Sequence, residues 1–312
     1  MTGRSESEDE SPDLRATICA ICGPSVPATL LYEANFAPSD LTPDVFSARR
    51  LPDRIHYQMV RCTRCGLVRS DPVLDSESLR RLYAESSFDY GTEVGGLRAT
   101  YGRYLAKAQQ LGGSEGSLLE VGAGNGFFLE EARRRGYKLV RGVEPSTSAV
   151  QDADPRIRPN LVCDVMRRGL FEDSEFDAVC LFQVFDHLPD PGAVLDACMQ
   201  VLRPGGVLLC LNHNIRAASA LILKEHSPIV DIEHTYLYSP GTMKQIFHQH
   251  GYRVLEQGRV YNTLSLTYLT HLMPMPGQLR RLTNRMMEAT GLGRLQVRAP
   301  LGNLYLIAQK PG

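Results

Sequence analysis

The feature that most constrains the fold of this chain is the order of two kinds of short motif. Two Cys-x-x-Cys pairs, Cys19 with Cys22 and Cys62 with Cys65, precede a glycine-rich segment at residues 120–126. Paired cysteines at this spacing are typical of a small metal-stapled module, because each turn presents two sulfurs to one ion. A glycine-rich segment between an apolar strand and a helix is typical of a nucleotide-binding corner. The order therefore predicts a small N-terminal module followed by an α/β domain.

The chain of 312 residues is long enough for one large domain and a smaller one. We predict four regions along it: a disordered acidic tail at 1–13, a zinc-binding module at 14–70, a helical lid or linker at 71–115, and the main domain at 116–312. The tail lacks the basic and apolar parts of a secretory signal.

Charge and hydropathy argue against several kinds of partner. The net charge of −1 provides no overall field that would attract nucleic acid. The sequence has no run of about eighteen apolar residues, so we expect no membrane-spanning helix. Unpaired cysteines and a thiolate metal site suit a reducing compartment, which predicts a cytoplasmic protein. The sequence does not determine the oligomeric state.

Strand and helix patterns alternate through the main domain. The predicted strands are 117–121, 138–143, 160–163, 176–182 and 207–211, with 253–257 and 303–308 as closing strands, and the predicted helices include 127–135, 193–202 and 242–250. This alternation is typical of a doubly wound, Rossmann-like α/β fold, in which a parallel sheet carries helices on both faces.

The two Cys-x-x-Cys pairs predict one closed metal site. Four thiolates complete the tetrahedral shell that zinc prefers, so we expect a structural zinc ion with no open position for catalysis. Gly23 and Gly66 follow the pairs and allow the tight turns that point amides at sulfur. A thioredoxin-like redox pair is the alternative, but two pairs outside a βαβ context fit it poorly. The remaining cysteines lie in apolar runs and are predicted to be buried: Cys163, Cys180, Cys198 and Cys210.

The glycine-rich segment contains Gly122, Gly124 and Gly126 after an apolar strand and before a helix. Glycines let the backbone approach a ligand closely, and the helix N-terminus faces that ligand. The spacing is G-x-G-x-G, which differs from the G-x-G-x-x-G of dinucleotide enzymes. Two acids strengthen the prediction. Glu144 ends the next strand, where an acid can hold ribose hydroxyls, and Asp164 ends the third, where it could meet an adenine amine.

Together these residues resemble class I S-adenosylmethionine-dependent methyltransferases. Glu120 and the three glycines match that family's first motif, Glu144 matches its ribose-binding acid, and Asp164 its adenine-side acid. Residues 182–191 resemble the fourth motif, in which Gln183 lines the same cleft. The resemblance implies an S-adenosylmethionine cofactor, whose amino acid tail the glycine turn would take, and an enzyme that transfers its methyl group.

The N-terminal cysteines extend the resemblance to bacterial enzymes that methylate sugars and secondary metabolites, including nucleotide-sugar C-methyltransferases. In that group an Asp-Glu-His segment before an aromatic-rich turn carries catalysis, and this chain matches it at Glu233 and His234. Asp231 stands where that group often has tyrosine. The resemblance implies a small hydroxylated acceptor, a sugar or a natural-product intermediate, and leaves O- and C-methylation both open.

Methyl transfer is an in-line displacement, so the protein must hold the acceptor in line and remove its proton. Histidine suits the second task because its pKa lies near neutrality. We predict that His234 is the base and that Glu233 is its partner. His187, just after the fourth strand, is the second candidate, and His213, after the fifth, is either a base or a structural residue.

Two other functions fit parts of the sequence. An RNA methyltransferase would use the zinc module to hold nucleic acid, and arginines are frequent there: Arg49, Arg50, Arg54, Arg61, Arg64 and Arg69. The nearly neutral charge and the lack of a basic run with interleaved aromatics argue against it. A non-catalytic scaffold is the other alternative. The intact glycine turn and both acids argue against that function.

Overall fold

A computed structural model of the protein describes residues 13–46, 53–86, 94–272 and 277–312. The predicted acidic tail up to residue 12 and the arginines at positions 49 and 50 lie outside the described residues.

The elements follow the chain in an order close to the predicted one. The strands are β1 (Leu14–Arg15), β2 (Ala28–Tyr32), β3 (Met59–Cys62), β4 (Val68–Ser70), β5 (Val73–Leu74), β6 (Ser117–Val121), β7 (Leu139–Val143), β8 (Leu161–Val162), β9 (Phe176–Phe182), β10 (Leu202–His213), β11 (Tyr236–Leu237), β12 (Arg253–Arg259), β13 (Asn262–Ser265), β14 (Gln296–Ala299) and β15 (Asn303–Gln309). The helices are α1 (Ser76–Glu85), α2 (Val94–Gln110), α3 (Phe127–Arg134), α4 (Thr147–Gln151), α5 (Pro191–Val201), α6 (Ala218–Leu223), α7 (Pro240–Gln249), α8 (Leu266–Leu272) and α9 (Gly277–Thr290).

Seven strands form the central sheet in the order β12-β15-β10-β9-β6-β7-β8. From β8 to β10 the neighbouring strands are parallel, whereas β15 runs antiparallel to both β10 and β12. The predicted α/β fold is thus confirmed, with an antiparallel closing pair. The chain builds β6, β7 and β8 outward on one side and then returns to place β9 and β10 on the other. Ligands of such sheets bind where the strand order reverses, beyond the carboxyl ends of the strands.

Successive residues of the central strands enter two different cores. In β9, Val179 and Leu181 pack with side chains of α5 and α7, whereas Ala178, Cys180 and Phe182 pack with side chains of α2 and α3. Side chains alternate between the two faces of a strand, so a strand that is apolar throughout must be covered on both faces. The two cores therefore place helices on both faces of the sheet.

Two helices begin earlier than their apolar pattern indicated. α5 begins at Pro191 behind the N-cap Asp190, and α7 begins at Pro240 behind the N-cap Ser239. Proline is well suited to the first helical position because its missing N–H is unneeded there, and the cap side chain accepts a free backbone amide. Apolar periodicity does not reveal a helix start that consists of a polar cap residue and a proline.

The N-terminal residues form a second sheet of four strands in the order β11-β4-β3-β2. Its β11 comes from the main domain, between β10 and β12 along the chain, and Tyr236 pairs with Arg69 and Leu237 with Val68. The Tyr236 hydroxyl also donates a hydrogen bond to the carbonyl of Ile18 (3.0 Å). The cysteine-bearing segments are therefore joined by backbone pairing to the segment that follows His234.

One cysteine prediction is wrong. Cys163 is exposed, while Cys180, Cys198 and Cys210 are buried as expected. The reason is topological, because Cys163 follows β8, a two-residue strand at the edge of the sheet, where neither Leu161 nor Val162 is fully buried.

Among the described residues, no helix combines the length and apolar character that a bilayer span requires.

Candidate functional site

A cavity of about 1500 Å³ lies at the carboxyl ends of the parallel strands. Four residues that immediately follow these strands, or end them, line it: Gly122 after β6, Glu144 after β7, Gln183 after β9 and His213 at the end of β10. Tyr101 of α2 also lines it and stacks on Phe182, with ring centroids 4.2 Å apart. The cavity thus occupies the position at which this topology binds its ligands.

The glycine turn has a left-handed backbone at all three glycines, and two of them border the cavity. Gly122 (φ +72°) and Gly124 (φ +53°) line the cavity. A Cβ at Gly122 would lie 2.3 Å from Cγ2 of Val184, so no side chain fits there. Gly126 is not among the lining residues. Its Cβ would lie 2.5 Å from Ile157, so packing beneath α3 requires that glycine.

Glu144 holds the glycine turn in place. Its carboxylate accepts hydrogen bonds from the amides of Gly124 (2.8 Å) and Ser146 (2.9 Å). Burial raises the pKa of Glu144, and the two amide donors only partly oppose this. Glu120 has a different place: it is buried behind the turn and does not line the cavity. Burial and the neighbouring Glu144 raise the pKa of Glu120 well above its usual range.

The other two predicted cofactor residues also line the cavity. Asp164 forms an ion pair with Arg167 (2.9 Å) and accepts the amide of Val165. Gln183 has a left-handed backbone (φ +57°), which is uncommon for a residue with a side chain. Its buried side-chain oxygen makes no hydrogen bond within the described residues. Strain and an unsatisfied polar atom at the same position are typical of functional sites.

Three histidines surround one buried carboxylate at the far end of the cavity. Asp186 is completely buried, and its Oδ2 lies 2.6 Å from Nδ1 of His213 and 3.8 Å from Nε2 of His234. Its Oδ1 lies 3.6 Å from Nε2 of His187. The ring of His234 is 4.7 Å from that of His187 and 4.8 Å from that of His213, centroid to centroid. All three rings line the cavity.

The electrostatics of this cluster favour an ionised Asp186 beside neutral rings of His187 and His234. Burial lowers the pKa of both His187 and His234 to about 4, although the charge of Asp186 opposes this. Burial also pushes the pKa of Asp186 upward, but its interactions with His213, His234 and His187 outweigh burial and lower it. No lysine or arginine of the described residues forms an ion pair with Asp186.

The structure brings the predicted catalytic residues to one cavity and adds a second carboxylate near His234. His187, His234 and Glu233 all line the cavity. Oδ2 of Asp186 lies 3.8 Å from Nε2 of His234, in addition to Glu233, the partner predicted from the sequence. Asp186 and His213 were not predicted as a pair, although both follow the carboxyl ends of adjacent parallel strands, β9 and β10. Their positions at the ends of two neighbouring strands are the feature of the sequence from which this pair could have been predicted.

The four N-terminal cysteines form a separate cluster in which the sulfurs all lie within 4.8 Å of one another. Sγ of Cys19 is 3.5 Å from Sγ of Cys65, and the amide of Cys22 donates to Sγ of Cys19 (3.3 Å). Burial opposes ionisation of Cys62, but the amides of Cys65 and Arg64 outweigh it and lower its pKa to about 6. Four sulfurs at this spacing, with amides directed at them, fit one tetrahedral metal ion.

The cysteine-bearing sheet also holds the backbone of the histidine cluster. The Ser70 hydroxyl donates to the carbonyl of His234 (2.8 Å), and the Ser70 amide donates to the carbonyl of Thr235 (2.9 Å). The amides of Thr235 and Tyr236 both donate to the carbonyl of Asp186. The N-terminal module is therefore part of the support for this end of the cavity.

Comparison with known proteins agrees with the fold and identifies the family. Residues 96–257 match a family described as a methyltransferase domain, slightly more than half of the chain. The ubiquinone biosynthesis O-methyltransferase of Neisseria meningitidis serogroup C (strain 053442) is 26% identical over 166 residues, covering 48% of this chain and 70% of that protein. Its counterpart in Alkalilimnicola ehrlichii is 36% identical over 125 residues, covering 37% of this chain and 50% of that protein.

The fold has matches among solved structures. A chain from the complex between the Haloferax volcanii Trm112 methyltransferase activator and a methyltransferase superimposes with a TM-score of 0.50 and 20% identity, covering 72% of this chain and 95% of that one. At this identity the likeness concerns the fold alone. With the family match and the glycine turn at the sheet's switch point, the chain belongs to the methyltransferase domain family and is an S-adenosylmethionine-dependent methyltransferase.

Proposed function

We propose that this enzyme transfers a methyl group from S-adenosylmethionine to a hydroxyl group of a small-molecule acceptor. The observation that carries the proposal is that one cavity is lined both by the Gly122 and Gly124 turn with Glu144 and by the three histidines around Asp186. The first set suits a nucleoside with an amino acid tail, and the second suits removal of a proton. The names of the curated relatives favour oxygen over carbon as the methylated atom.

The residues around the glycine turn fit the cofactor. The backbone of Gly122 and Gly124 would take the amino acid tail, Glu144 the ribose hydroxyls and Asp164 the adenine side. The unsatisfied side-chain oxygen of Gln183 lines the same space and offers a free acceptor to the tail's ammonium group. When bound, the sulfonium supplies an electrophilic methyl carbon: a C–O bond forms, the C–S bond breaks, and its electron pair remains on sulfur.

The histidine cluster would receive the acceptor's proton. His187 and His234 have rings 4.7 Å apart on the cavity wall, so one acceptor hydroxyl can reach either. The proton leaves the hydroxyl for a ring nitrogen, and the carboxylate of Asp186 stabilises the imidazolium that forms. Glu233 also lines the cavity and stays the predicted partner of His234.

We further propose that Cys19, Cys22, Cys62 and Cys65 hold one structural zinc ion. The ion would fix the turn that precedes β2 and the turn that joins β3 to β4, and β4 carries Ser70, which holds the backbone of His234. A nucleic-acid acceptor is not favoured. Arg69, one of the arginines that suggested it, is buried and forms an ion pair with Asp71 (3.1 Å).

Calorimetric titration with S-adenosylhomocysteine, the product of the cofactor, tests the proposal. We expect binding that Glu144→Gln weakens at least tenfold, because the ribose and the glycine turn both depend on that carboxylate. Glu172→Gln is the matched control, since Glu172 is exposed and lies outside the cavity. Absence of binding at millimolar ligand would contradict the proposal.

A second assay identifies the acceptor class. The enzyme is incubated with methyl-labelled cofactor and a panel of phenols, catechols, sugars and nucleotide sugars, and the products are analysed by mass spectrometry. We expect label on oxygen of a hydroxylated small molecule. Label on carbon would overturn the O-methylation proposal while leaving methyl transfer intact, and label on RNA would favour the RNA methyltransferase alternative.

A further inference from the structure

We infer that Asp186, His213 and His234 form a binding site for a divalent transition-metal ion at the acceptor end of the cavity, separate from the four-cysteine site. The role of this metal site depends on the proposed function, whereas its geometry does not. One ligand atom from each residue lies within 4.8 Å of the other two. Two imidazole nitrogens and one carboxylate are a common ligand set for divalent iron, zinc, cobalt and manganese, and they leave coordination positions open.

The distances need little adjustment to accept an ion. Metal–ligand bonds of about 2.1 Å place neighbouring ligand atoms roughly 3–3.5 Å apart. In the structure Oδ2 of Asp186 lies 2.6 Å from His213 and 3.8 Å from His234, so the required spacing falls between the two. The three residues come from the loop after β9, the end of β10 and the segment before β11, and backbone hydrogen bonds to the Asp186 carbonyl join the first and third.

The hydrogen bonding of His234 places two electron-rich atoms face to face. Its Nδ1 lies 3.0 Å from the carbonyl of Ile229, which can only accept, so Nδ1 carries the proton. In the neutral ring Nε2 then presents a lone pair toward Oδ2 of Asp186, 3.8 Å away. A cation bound between these two electron-rich atoms would replace this unfavourable contact with two favourable ones. A backbone carbonyl that fixes the tautomer of a histidine is also the usual support of a metal ligand.

The second oxygen of Asp186 points to the same conclusion independently. Asp186 is 0% exposed, and its Oδ1 makes no hydrogen bond within the described residues. An ionised carboxylate in this condition is costly unless a cation compensates it. A divalent ion held by both oxygens of this carboxylate would compensate its charge and satisfy Oδ1.

The ion would act on the acceptor's oxygen. Its open positions face the cavity that the three histidines line, and a bound hydroxyl loses its proton more readily on a divalent cation. With His234 on the ion, the acceptor's proton would pass to His187, the other of the two candidate rings, which lies 4.7 Å from that of His234. Loss of His234 would then lower turnover by removing a ligand of the ion. Such a site selects acceptors with two adjacent oxygens, such as catechols or vicinal diols, because both oxygens can occupy open positions.

Cobalt(II) titration of the full chain tests the site directly. The four-cysteine site is first filled with one equivalent of zinc, and cobalt is then added while the visible spectrum is recorded. We expect a second equivalent to bind with cobalt d–d bands but without the sulfur-to-cobalt charge-transfer band that thiolate ligands produce. A catechol should then shift the d–d bands. Failure to bind a second equivalent, with and without S-adenosylhomocysteine and catechol, would overturn the inference.

Two variants test which residues bind the second equivalent of cobalt. His213→Ala and the milder Asp186→Asn should each lose it and keep the zinc. His250→Ala is the matched control: its Nδ1 lies 2.6 Å from Asp196, the same length as the His213 pair, but outside the cavity. Retention of the second equivalent in both cluster variants would also refute the site.

The inference and the proposed function can fail separately. If methyl transfer is unchanged after a chelator removes the second metal equivalent, the inferred ion has no role in the reaction. The inference then fails, and the proposed function stands without it. If S-adenosylhomocysteine does not bind although cobalt does, the proposed function is lost and the metal site remains.

Discussion

The two ends of the cavity are built in different ways. At the cofactor end, Gly122 and Gly124 belong to one short turn, and a bond between the Gly124 amide and the carboxylate of Glu144 (2.8 Å) holds that turn. At the acceptor end, Asp186, His213 and His234 come from three separate segments and meet through side chains. The first end depends on a turn that only glycine can make, whereas the second depends on the packing of separate segments.

This difference predicts opposite effects for substitutions at the two ends. Changes at the glycine turn should remove cofactor binding, because they alter the backbone itself. Changes at the histidine cluster should leave cofactor binding intact and lower turnover. A variant that changes both properties equally would show that the two ends are a single mechanical unit.

The largest effect on cofactor binding is expected from Gly122→Ala. Its φ of +72° disfavours any side chain by about 1–2 kcal/mol, and the new Cβ would also lie 2.3 Å from Val184. We expect S-adenosylhomocysteine affinity to fall more than tenfold, measured by calorimetry, together with a lower melting temperature. Gly169→Ala separates the two causes, since Gly169 has φ +77° with no atom within 4 Å of the new Cβ. If both variants lower the melting temperature equally, backbone strain alone explains the loss of stability in Gly122→Ala.

The cofactor end could be predicted from the sequence for the same reason that it is sensitive to glycine. A turn that follows an apolar strand and opens a helix leaves its mark in consecutive residues, and the α/β alternation fixes where its ligand must lie. The fold followed from the same regularity, including the closing strands β12 and β15. The exposure of Cys163 could not be predicted, because it depends on which strand forms the edge of the sheet.

The proximity of Asp186 to His234 could not be read from the sequence either. Glu233 is adjacent in sequence and stays the predicted partner, whereas Asp186 is a long way off along the chain. Asp186 reaches His234 because the carbonyl of Asp186 accepts the amides of Thr235 and Tyr236, a contact between segments almost fifty residues apart. Sequence patterns report local periodicity and leave such pairings undetermined.

The largest effect on turnover is expected from His234→Ala. Loss of this ring should lower turnover roughly 100-fold, the usual contribution of a group that moves a proton in the transition state. The affinity for S-adenosylhomocysteine should be almost unchanged, because the ring lies at the other end of the cavity. His248→Ala serves as the control, since His248 is exposed on α7 and does not line the cavity. Turnover equal to that of the control would place the proton-accepting group elsewhere.

A smaller effect on turnover is expected from Cys22→Ser, which removes one sulfur from the proposed zinc site. We expect the metal to be lost and turnover to fall about tenfold, or 1.4 kcal/mol, because β4 no longer holds the segment of His234 firmly. Cofactor affinity should change little. Cys163→Ser is the matched control, because Cys163 is exposed, is not one of the four clustered cysteines and follows a strand of the other sheet. Metal analysis of both proteins decides the outcome, and full metal retention in Cys22→Ser would contradict the zinc assignment.

The smallest effect is expected from Ser70→Ala, which tests the coupling between the module and the cavity without disturbing the metal. It removes the hydrogen bond from the Ser70 hydroxyl to the carbonyl of His234 (2.8 Å), worth about 1 kcal/mol in a buried position. Thr29→Val removes a long hydroxyl bond (3.5 Å) in the same sheet, on exposed β2, and should be nearly silent. We expect turnover of the serine variant to fall a few-fold with normal metal content and normal cofactor affinity. If turnover stays at the level of the threonine variant while stability falls, the N-terminal sheet stabilises the fold but does not position His234, and the effect of Cys22→Ser must then arise from general destabilisation.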